Sequence, residues 1–102
     1  MNSIFSIEIS FSGLFDRGLV IDPTNNKAIT YDGEKSISTE TIEQLLDIIC
    51  LWDDFYYDNR LIDAECCKVI INSKNSTKEY YMQGTYPRTY AEFKSIVGEI
   101  YG

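Results

Sequence analysis

The chain contains no histidine. That absence excludes Ser-His-Asp and Cys-His nucleophilic catalysis, histidine-ligated zinc and any histidine-based pH switch. No run approaches the roughly 18 apolar residues of a membrane span. The first residues lack the basic segment followed by an apolar stretch that marks a secretory signal. Cysteine is sparse, three in 102 residues. Two of the three, Cys66 and Cys67, are adjacent, and adjacent strand residues point to opposite faces, which disfavours a disulfide between them. Reduced thiols in a cytoplasmic protein are the expectation. Positive charge is also scarce: 9 Lys+Arg against 16 Asp+Glu leave a net −7. That balance opposes binding to a nucleic-acid backbone and permits a basic protein partner, whose encounter it would speed, though many acidic domains are simply soluble.

Against these absences stand a hydrophobic share of 44 % and an aromatic share of 14 %. The first is too high for a disordered chain, and the length fits one domain, 1–102, with one core. Residues 5–11 alternate strictly between apolar and polar, which predicts a strand with one buried face. Residues 12–18 read as a loop bracketed by glycines, 19–21 as a short apolar strand, and Asp22-Pro23-Thr24-Asn25-Asn26 as a turn. A third strand over 27–31 completes a meander closed by Asp32-Gly33. Ser38 is a good N-cap for a helix over 39–52, with Glu40 in its first turn. At 100° per residue Ile42, Leu45, Leu46, Ile49 and Trp52 share one face, while Glu40, Glu43 and Asp47 share the opposite one. Residues 53–63 have no clean period and read as an ordered connection. Strands over 66–72 and 77–83 form a hairpin, with Cys67, Val69 and Ile71, and then Tyr80 and Met82, on one face. Thr89 and Glu92 are spaced as a capping box, followed by an apolar stripe of Phe93, Ile96, Val97, Ile100 and Tyr101. The order β-β-β-α-β-β-α predicts an α+β fold, with an antiparallel sheet of about five strands and two helices packed on one face.

The succession Tyr31-Asp32-Gly33, helix, Phe55-Tyr56-Tyr57-Asp58, Asp63, hairpin, Pro87 and final amphipathic helix resembles small bacterial α+β domains of unknown function. Some of those carry a Cys-Pro element in the first hairpin, which Ser12-Gly13-Leu14-Phe15 lacks. In size and charge the chain is also similar to immunity proteins that neutralise secreted toxins. Neither resemblance implies a catalytic residue.

The most distinctive local composition is Trp52-Asp53-Asp54-Phe55-Tyr56-Tyr57-Asp58. Stiff aromatic area beside carboxylates suits a protein-binding patch for a basic partner. The expected contact residues are Asp53, Asp54, Tyr56, Tyr57 and Asp58, extended by Glu40, Glu43 and Asp47 along the helix. Against this stands the plainer arrangement in which Trp52 and Phe55 are core and the acids decorate a helix end. Leu51 falls among the helical acids, where exposure would favour an interface. Counting a calcium loop from Asp54 puts Tyr56 third and Asn59 sixth, where an oxygen ligand and a glycine are needed, so no metal is expected. No cofactor is expected either. The favoured function is a non-enzymatic interaction or inhibitor module. The alternatives are a small-molecule or enzymatic domain with a Tyr- and carboxylate-lined pocket, and a self-associating domain that pairs through its sheet edges.

Overall fold

The computed structural model describes residues 4–13, 17–60 and 64–101. Alternation shapes its longest strand, β1 (Ile4–Ser12): Ile7, Ile9 and Phe11 are buried, and Glu8 and Ser10 face solvent. β1 pairs antiparallel with β2 (Arg17–Asp22), which continues through β3 (Lys27–Thr30) to β4 (Gly33–Ser36). On its other side β1 pairs antiparallel with β6 (Cys66–Ser73), which forms a hairpin with β7 (Thr77–Gln83). β5 (Phe55–Tyr57) then lies parallel to β7. The order across the sheet is β4-β3-β2-β1-β6-β7-β5.

The α+β class holds, but the sheet is mixed and has seven strands, not about five. The two additional strands are its edges. β4, Gly-Glu-Lys-Ser, has no apolar residue to reveal it and exists because it completes the ladder of β3. β5 has three residues, too few to show a period, and is held by β7: Tyr81 N–H donates to the Asp54 carbonyl and Asp58 N–H to the Gln83 carbonyl. Leu14, Phe15 and Asp63, named above, lie outside the described residues.

Helix α1 (Thr39–Ile49) joins the two edges across one face of the sheet. Ser38 caps it, its hydroxyl accepting from Thr41 N–H at 3.1 Å. The helix stops at Ile49, three residues before the expected end. Leu51 N–H and Trp52 N–H then reach back only three residues, to Ile48 and Ile49. This tighter winding turns Trp52 into the core and leaves Leu51 79 % exposed. Helix α2 (Tyr90–Tyr101) packs beside α1. The Thr89 hydroxyl, expected to cap α2, instead accepts the Trp52 indole N–H at 2.9 Å. At the other end Lys35 of β4 reaches the carbonyls of Ile100 and Tyr101, a cation at the negative pole of α2.

The core lies between the helices and one face of the sheet. Phe93 is its centre: it is fully buried and meets Trp52 edge-on at 4.9 Å, Phe11 at 6.2 Å and Tyr90 at 6.3 Å between ring centroids. Truncating such a ring removes its transfer free energy and leaves a cavity between three aromatic neighbours. Phe93→Ala should therefore lower stability by about 3–5 kcal/mol, a large share of a small domain's total. Urea unfolding followed by circular dichroism measures it.

Candidate functional site

The acidic-aromatic segment leaves α1 through Asp53 and Asp54 and becomes the edge strand β5. Strand alternation splits its rings between the two faces. Tyr56 turns toward the helices, packs against the core and accepts from Asp53 N–H through its hydroxyl at 3.0 Å. Phe55 and Tyr57 turn the other way and stay 62 % and 52 % exposed. Phe55 stacks on Tyr81 of β7, centroids 5.6 Å apart and planes 16° from parallel, with Tyr57 at 6.2 Å from Phe55. A groove of about 370 Å³ beside this stack is lined by Asp54, Phe55, Lys68, Glu79 and Tyr81.

The expected contact residues therefore fall into groups. Asp53, Asp54 and Tyr57 come together at the β5 edge. Asp53 and Asp54 are exposed, and among the described residues neither forms an ion pair. Glu40, Glu43 and Asp47 are likewise exposed and unpaired, but they line the outer side of α1, across the sheet from the Phe55–Tyr57 rings. Asp58 is bound within the chain. The Arg60 guanidinium grips both its oxygens at 2.9 and 2.7 Å and the Arg60 amide adds a third bond, which lowers the Asp58 carboxyl to about 2.

Gly84 positions the edge. Its φ is +84°, and a Cβ there would sit 2.4 Å from the Asp58 carbonyl oxygen, so only glycine lets the end of β7 pass this close to the end of β5.

A second constellation escaped the sequence reading. Glu65 accepts from the Tyr90 hydroxyl at 2.6 Å and from Lys94 Nζ at 3.0 and 2.9 Å, while its backbone carbonyl accepts from the Tyr86 hydroxyl at 2.6 Å. Tyr86 and Tyr90 stack at 4.4 Å. Nothing in the spacing of 65, 86, 90 and 94 shows that α2 docks over the start of β6. The helical spacing of Tyr90 and Lys94 was its one visible trace. Burial alone would raise the Glu65 carboxyl. The Tyr90 and Lys94 hydrogen bonds, with the charges of Lys94 and Arg17, outweigh that and leave it lowered. The neighbouring Cys67 thiol is pushed up to about 12, chiefly by burial, so at neutral pH it is a packed thiol with little thiolate character. Cys67 is fully buried on the strand face it was expected to share with Val69. This cluster fastens α2 to the sheet.

Among the described residues no group of three or more Cys, Asp or Glu side chains is arranged to hold a metal ion. No described helix is long and apolar enough to cross a membrane. Comparison with protein-family models, with curated proteins and with solved structures returns no match.

Because Glu65 is held below its ordinary value, the stability it contributes is present above that value and lost as pH falls through the folded one. Glu65→Gln should cost about 1–3 kcal/mol at pH 7 by leaving Lys94 and the Tyr90 hydroxyl poorly matched. The gap between native and variant proteins should close as pH drops below 4.5, the ordinary glutamate value. Urea titrations at a series of pH values test both the size and the sign.

Proposed function

We propose that the protein is a non-enzymatic interaction module that docks a basic protein partner. Its sharpest form is an immunity-like inhibitor that covers a cationic working surface of a toxin. The observation that carries this reading is the β5 edge. Phe55 and Tyr57 are held outward on a stacked aromatic base, while Asp53 and Asp54 stand beside them with no ion pair among the described residues. Aromatic rings with few rotatable bonds lose little entropy when covered, and unpaired carboxylates draw in and orient a basic surface. Leu51, exposed between Asp47 and Asp53, adds apolar area to the same end of α1.

A second reading, a small-molecule site, is favoured by a cleft of about 480 Å³ lined by Arg17, Gly18, Tyr31, Asp32 and Tyr101, where the Arg17 guanidinium lies 5.6 Å over the Tyr101 ring. That volume is in the range of ligand pockets, and its lining combines tyrosine with a carboxylate. The third, self-association through sheet edges, is disfavoured by the edges themselves. β4 and β5 have four and three residues, and charges flank both.

Affinity capture from cells that make the protein separates these readings. A basic protein should be retained at low salt and released at several times physiological ionic strength. The double charge reversal Asp53→Lys, Asp54→Lys should abolish its retention. Retention that ignores both salt and charge reversal would overturn the proposal. Saturable uptake of a small anion that is lost on Arg17→Gln would favour the cleft instead.

A further inference from the structure

The sheet's second face is covered by no described helix, and two of its rows are not those of a solvated face, although Asp22, Lys27, Ser6, Asn72 and Thr77 beside them are polar. Pairing register places Ile29, Val20, Glu8, Ile70 and Glu79 in one row across β3, β2, β1, β6 and β7, with Glu34 of β4 at its end. The next row reads Gly18, Ser10, Lys68, Tyr81 and Phe55. An antiparallel sheet open to water on one side ordinarily alternates apolar-in with polar-out. Here Val20, Ile29, Ile70, Tyr81 and Phe55 are outward and apolar. Because Gly18 and Ser10 carry almost no side chain, the second row sinks below the first. A groove of about 270 Å³ runs there between Val20, Ile29 and Ile70, and Lys68 is shared with the groove beside Phe55 and Tyr81. The two grooves form a trough from β3 to the β5 edge.

Charge and area select what fills it. The first row holds three carboxylates, Glu34, Glu8 and Glu79, and no cation. Lys68 answers only Glu79, at 3.7 Å, through a pair whose side chains are 44 % and 55 % exposed. A second copy seated face to face would set this acidic row against its own image, on chains of net −7 each. From β3 to β5 the trough spans about 24 Å across strands, and its two rows, two residues apart, lie about 7 Å from each other along them, an area on the order of 170 Å². That falls short of the roughly 800 Å² per partner of a standard stable interface, so a segment suits it better than a second globular surface. We infer that the uncovered sheet face is the docking surface for a basic amphipathic segment of a partner protein, its apolar side on Val20, Ile29 and Ile70 and its cations against Glu8, Glu34 and Glu79. This rests on the basic-partner reading above and extends it from the β5 edge across the sheet.

The probe is a synthetic amphipathic peptide of leucine and lysine, about four helical turns long, with the leucine–glutamate peptide of the same pattern as control. Nuclear magnetic resonance of the whole chain should show saturable shifts of the Val20, Ile29 and Ile70 methyls with the lysine peptide and none with the glutamate one. Glu8→Lys with Glu79→Lys should weaken binding at least tenfold. Ile70→Ser, an outward position that leaves the core intact, should do the same with circular dichroism unchanged. Shifts confined to α1 around Glu43 and Asp47, or to Asp53 and Asp54, would overturn this inference and leave a basic partner in place elsewhere. Equal binding of both peptides, or no saturable binding at any surface, would overturn the inference and the basic-partner reading together. A dimer in sedimentation that Ile70→Asp dissociates would show a second copy to be the occupant.

Discussion

The pairing of β1 with β6 holds the molecule together. Residues some sixty positions apart meet along nearly the whole of both strands, from Ile4 with Ser73 to Ser12 with Cys66. One side of this seam carries the N-terminal meander and the other carries the hairpin and β5. The seam also aligns the inward residues Ile7, Ile9 and Phe11 with Ile71, Val69 and Cys67, and this shared apolar floor is what both helices cover. With the seam in place, α1 has to cross from one sheet edge to the other, and the acidic-aromatic segment arrives at the far edge because nowhere else remains for it. A local motif thus owes its exposure to a long-range contact.

Much of the fold was legible along the chain because apolar spacing reports which side of an element is buried. The alternation over 7–11, the face of Ile42, Leu45, Leu46 and Ile49, and the Ser38 cap all correspond to what the structure shows, whereas Phe5, expected on the buried face, lies at an irregularity in the β1–β6 pairing and is 60 % exposed. What escaped notice shares a physical cause. β4 is stabilised by hydrogen bonds to β3 and buries no apolar side chain. β5 is three residues long and pairs in parallel with a strand that follows it by more than twenty positions. Elements held by partners outside their own window leave no periodic trace. The alignment of strands across the sheet is hidden for the same reason, and with it the apolar row on the uncovered face. Val20, Ile29 and Ile70 each look unremarkable until register brings them side by side.

The candidate surface was half legible. Composition singled out Asp53, Asp54 and Tyr57, and these do gather at an exposed edge. It could not divide Tyr56 from its neighbours, because that depends on which face of β5 meets the core. Nor could it show that Asp58 would be gripped by Arg60, two residues on, or that the helical acids would end up across the sheet from the rings. The Glu65 cluster was invisible because α2 and the start of β6 meet only in three dimensions. The Glu65–Lys94 pair fastens α2 to the start of β6, whereas Asp53, Asp54, Glu40, Glu43 and Asp47 are exposed and form no ion pair among the described residues.

Trp52 is the chain's one tryptophan. Its indole is wedged edge-on against Phe93 and Tyr80, and its N–H is tied to the start of α2. Its intrinsic fluorescence is therefore a built-in gauge of whether the helices are seated on the sheet. Because it lies on the covered side, a molecule settling on the opposite side would leave its emission almost unchanged. One optical signal thus separates loss of structure from occupation of the surface.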